Sequence, residues 1–71
     1  MKRRDLVKRV AREAKRRGVE WRFCREGGNH SIYLLDGMVV PIPRHNEVCE
    51  NTAMDIFRDC QDVLGKDWWR R

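Results

Sequence analysis

Asp36-Gly37, set between the apolar runs 30–35 and 38–42, constrains this chain more than any other feature. The tightest hairpin turns require positive φ at their central positions, which Asp and Gly tolerate, so the pair reads as a two-residue link between antiparallel strands. Upstream, Val19, Trp21 and Phe23 alternate with Glu20, Arg22 and Cys24, the period of a half-buried strand, and Gly27-Gly28-Asn29 is expected to break it. The three segments predict a three-stranded antiparallel meander. Pro41 and Pro43 have no N–H to give a ladder, so the third strand is expected at an edge.

Helical spacing brackets the meander. Leu6, Val7, Val10, Ala11 and Ala14 recur at i, i+3, i+4 and predict an amphipathic helix from about Arg3 to Arg17, stopped by Gly18. Ala53, Ile56, Phe57, Cys60, Val63 and Leu64 do the same before Gly65, with Asn51 or Thr52 as the expected N-cap. The order is therefore α-β-β-β-α, an α+β domain. Two amphipathic helices can cover one face of a three-stranded sheet and leave the other open, which is the double-stranded-RNA-binding-domain-like architecture. Residues 65–71 form a short tail with adjacent Trp68 and Trp69. These have two readings, packing back onto the helices or anchoring a partner.

Seventy-one residues make one domain, residues 1–71, with only about 60% of the unfolded surface buried, so a deep substrate cavity is not expected. Chemistry on such a chain belongs to an open face and a large substrate. The net charge of +5 conceals an asymmetry: residues 1–25 hold eleven basic and three acidic side chains, residues 26–71 five and eight. A basic segment of this kind is the electrostatic footprint of a phosphate backbone, although a solvated helix face also accounts for it. The second helix instead exposes Asp55, Asp59 and Asp62.

Cys24, Cys49 and Cys60 are odd in number with no CxxC pair, which reads as a reducing cytoplasm rather than a disulfide framework. Cys24, His30, His45 and Cys49 match no familiar zinc spacing, so no metal and no cofactor are expected. No apolar run reaches a membrane span or a signal peptide, and no membrane partner is expected.

His30 follows the glycine pair and opens the second strand. Histidine gains and loses a proton near neutral pH, and flexible glycine backbone can present N–H groups to a phosphate. Cleaving RNA needs no metal when the ribose 2′-hydroxyl attacks: one group must take its proton and another must stabilise the departing oxygen. Arg25, Arg44 and His45 are the candidate cations, and Arg3, Arg4, Lys8 and Arg12 on the first helix the candidate backbone grip. The plainer alternative is a turn histidine bonded to backbone. Strand parity groups His30 with Ile32 and Leu34, the strand's own apolar residues, unless a bulge at Gly27-Gly28 turns it outward.

The string Arg25-Glu26-Gly27-Gly28-Asn29-His30-Ser31-Ile32-Tyr33, followed by Val40-Pro41-Ile42-Pro43-Arg44-His45 and Glu50-Asn51-Thr52-Ala53, resembles the HicA family of toxins. The opening Met1-Lys2-Arg3-Arg4-Asp5-Leu6 resembles that family's start, and the likeness runs from residue 1 to about 64. It implies a metal-independent mRNA interferase of a type II toxin-antitoxin system, with His30 catalytic and a HicB-type antitoxin as partner and sole route to an oligomer; the charge and glycine chemistry read above adds Arg3, Arg4, Lys8, Arg12, Arg25, Gly27, Gly28, Arg44 and His45 as the expected RNA contacts. The charged linker from Lys15 to Glu20 and the tryptophan tail depart from that pattern. A non-catalytic RNA-binding module of the same fold is the alternative, and an interaction subunit using Trp68, Trp69 and the acidic helix a further one.

Overall fold

The structure, a computed structural model, describes residues 1–70. Helix α1 spans Arg3–Arg17, strands β1, β2 and β3 span Trp21–Gly27, His30–Leu35 and Met38–Pro43, and helix α2 spans Glu50–Leu64, followed by a 3-10 turn at Trp68–Arg70. The sheet is an antiparallel meander in the order β1-β2-β3, so β3 is an edge, as its prolines require, and β1 is the other.

Asp36 and Gly37 adopt φ of 52° and 84°, the paired positive values of a type I′ turn. That turn sets the β2–β3 register, with Leu35 opposite Met38 and His30 opposite Pro43. β1 continues past the expected break: Gly27 pairs with His30, and Gly28, at φ 49°, with Asn29 alone makes the turn. The irregularity falls instead between Phe23 and Arg25, where Cys24 is bulged out of register. The extra residue moves Arg25 to the face that carries Arg22.

Both helices lie on one sheet face. Leu6, Val10 and Ala14 of α1 and Ala53, Ile56, Phe57, Cys60 and Leu64 of α2 pack over Leu35, Val40 and Ile42. Leu6, Leu35, Ile42 and Leu64 are completely buried, each worth about 1.5–3 kcal/mol relative to exposure. Gly18 caps α1 in the left-handed conformation, φ 71°, so the connection to β1 is only Gly18–Glu20, shorter than the charged linker expected from Lys15. The N-cap of α2 lies two or three residues before the expected one: Cys49 holds the position, with its Sγ 3.0 Å from Thr52 Oγ1.

The tail belongs to the core. Trp68 and Trp69 are buried, Trp68 donates its indole N–H to the Phe57 carbonyl at 2.8 Å, and both rings pack on Phe57. Arg9 ties α1 to this corner through a 2.8 Å hydrogen bond to the Trp69 carbonyl and lies over the Phe57 ring. Of the two readings for the tryptophans, packing is therefore the observed one.

Candidate active site

The pairing places nine residues on the uncovered sheet face in three rows: Arg22, Leu34, Val39; Arg25, Ile32, Pro41; and Gly27, His30, Pro43. His30 does share a face with Ile32 and Leu34, as parity predicts. That face is the open one, because Ser31, Tyr33 and Leu35 take the helix side of β2. No bulge at the glycine pair is needed to expose the imidazole.

Gly27, directly across from His30, makes room for a cation. A Cβ there would lie 2.8 Å from Arg25 Nη1 and 3.5 Å from Ile32 Cγ1, so the Arg25 guanidinium lies over the glycine. Cross-strand neighbours sit about 5 Å apart at Cβ, which brings the guanidinium beside the imidazole on one exposed surface.

Beneath this surface runs a polar chain. Ser31, only 1% exposed, accepts a hydrogen bond from Arg3 Nη2 at 2.7 Å and faces the Glu26 carboxylate, with Oγ 3.0 and 3.1 Å from its two oxygens. Glu26 in turn accepts from Arg44 Nη1 at 3.3 Å, and Arg3 Nε donates to the Pro43 carbonyl at 2.9 Å. The chain ties the ends of β1, β2 and β3 together near His30, and no buried side-chain polar atom in it lacks a partner.

The candidate cations divide accordingly. Arg25 stands with His30, Gly27 and Gly28 at this end of the open face, whereas Arg3 and Arg44 are engaged as ties in the polar chain on the other side. Arg4 lines a shallow cleft of about 270 Å³ with Lys2, Arg3, Asn46 and Glu47. Lys8 and Arg12 lie opposite the buried Leu6–Val10–Ala14 stripe, at about 100° per residue, and so face away from the sheet and from His30. His45 lines another shallow cleft, with Pro43, Val48 and Thr52. Sequence reasoning missed Ser31 and Glu26. Their signal was parity: a serine at a core position next to the histidine needs polar partners.

Among the described residues no three His, Cys, Asp or Glu side chains gather to hold a metal ion. The three thiols are free; burial pushes Cys60 up to about 12, and the hydrogen bond from Thr52 at the start of α2 lowers Cys49. No helix among these residues is long and apolar enough to cross a membrane. The chain matches no protein-family profile, no curated protein and no solved structure.

Proposed function

We propose that this chain is an endoribonuclease that cleaves mRNA through the ribose 2′-hydroxyl, with His30 as its proton-transfer group. The observation that carries the reading is the exposed imidazole of His30 directly across from Gly27, over which the Arg25 guanidinium lies, with a hydrogen-bonded polar chain tying the strand ends on the other side of the sheet. The 2′-oxygen attacks the adjacent phosphorus, the P–O5′ bond breaks, and a cyclic phosphate and a 5′-hydroxyl result. His30 either takes the proton from the 2′-hydroxyl or gives one to the departing oxygen. Arg25 stabilises the negative charge that builds on the phosphoryl oxygens.

The α-β-β-β-α order is that of a double-stranded-RNA-binding-domain-like fold, which supports RNA as the substrate. The resemblance to HicA toxins supports a cytoplasmic toxin restrained by a HicB-type antitoxin. One observation favours a second reading, a non-catalytic RNA-binding module: Lys8 and Arg12, the expected backbone grip, face away from His30. Inducible expression of the wild type and of His30→Ala, with total mRNA followed over time, separates the two. The nuclease reading expects decay with the first and none with the second. Equal decay with both contradicts it.

A further inference from the structure

Among the described residues Phe23 is the one exposed Phe, Tyr or Trp side chain, 49% accessible on the outer strand β1. Its ring meets Tyr33 edge-on at 5.6 Å, and Tyr33 is in turn stacked on Trp21 at 4.7 Å and 6°. An aromatic left half in water and backed by a second ring offers a flat surface, and Phe23 is not part of the buried core. The ring lies on the helix side of the sheet, where α1 runs alongside.

The cations around it follow from how α1 is seated. Arg9 reaches Trp69 and Phe57, and Arg17 lies against Gly65, so α2 and the tail occupy that flank of α1. The opposite flank, carrying Val7 and Ala11, therefore overlies β1, and Arg4, Lys8 and Lys15 stand beyond it at helical spacing. On the far side of β1, Arg22 and Arg25 line the open face. The edge strand thus carries an aromatic platform between two sets of cations. It leads to His30 over about 13 Å, four residues from Phe23 to Gly27 at roughly 3.3 Å each.

We infer that this edge binds an unpaired stretch of the RNA, a base stacking on Phe23 while Lys8, Lys15, Arg22 and Arg25 take the phosphates on either side. The inference rests on the nuclease reading and deepens it: the substrate is single-stranded next to the cleaved bond, and α1's outward cations serve an RNA strand that turns around β1. Stacking on an aromatic is sequence-tolerant and pairs with phosphate contacts in single-strand binders. A basic edge of this kind does not suit the surface of another basic protein.

The test is binding of a short unpaired RNA of mixed sequence, and of the same RNA paired with its complement, to protein carrying His30→Ala so that no cleavage intervenes. Adding Phe23→Ala is expected to weaken the unpaired RNA by roughly 5- to 100-fold and the duplex far less. Phe23→Leu should behave like the alanine variant and Phe23→Tyr like the parent, all with unchanged melting temperature. Lys15→Ala should weaken binding and reduce the salt slope by about one. Unchanged affinity for unpaired RNA in Phe23→Ala and Phe23→Leu, or equal losses for duplex and single strand, overturns the inference while leaving cleavage at His30 standing. Loss of stacking in a protein that does not cleave leaves the inference standing and removes the nuclease reading; no RNA affinity in the parent overturns both.

Discussion

At the scale of single residues, Gly27 separates fold from function. Its φ is ordinary, and the nearest obstacle to a side chain is the tip of Arg25, which can swing aside. Gly27→Ala is therefore expected to leave the melting temperature nearly unchanged while moving the cation from beside His30. Loss of one charge-stabilising group costs about 100- to 1,000-fold in rate. A cleavage assay run beside a thermal melt checks this; an unchanged rate would show that Arg25 does not act at the site. Ser31 and Glu26 show what a reading by residue type overlooks. Arg3 was visible as a cation, but its bond to Ser31 depends on a serine on the inward side of β2, and only the strand pairing reveals that side.

Among the elements, α1 carries a carboxylate whose state is set by its own helix. Arg16 and Arg17 bond Glu13 at i+3 and i+4 and hold its carboxyl at about 2, below the ordinary 4.5. A carboxyl depressed in the folded protein stabilises it above pH 4.5, and that contribution is lost as pH falls toward 2. The pair is partly solvated, so the contribution is under about 1 kcal/mol. Glu13→Gln should remove it, making the melting temperature less steep in acid over that window; parallel curves for the two proteins would contradict the assignment. Element types were legible because α1 and α2 keep helical spacing and Asp36-Gly37 fixes a hairpin. The ends were less so: β1 reaches Gly27 because a bulge at Cys24 absorbs a residue, which alternation alone cannot show, and Cys49 took an N-cap that residue preference assigned to Asn51 or Thr52.

For the whole molecule, a small core must recruit every large side chain available, and the tail supplies two. Trp68 sits 2% exposed against Phe57 with its N–H satisfied. Trp68→Ala is expected to cost about 3–5 kcal/mol and to lower the melting temperature by roughly 15–30 °C, close to the whole stability of a domain this size. A drop of only a few degrees would show the tail to be peripheral. The same layering that buries the tryptophans leaves His30 on the uncovered side, with α1's outward cations on the other. Charge asymmetry was legible in the sequence, but not that the charges divide between two sides of the sheet. The central claim is that the exposed imidazole of His30 moves a proton during RNA cleavage. Its most direct test is the single-turnover cleavage rate of purified wild type and His30→Ala on one mRNA, in excess chelator, with matching melting temperatures and the product ends identified. The account predicts cyclic phosphate ends from the wild type and a rate at least about 100-fold lower for the variant. Equal rates for the two folded proteins would contradict it.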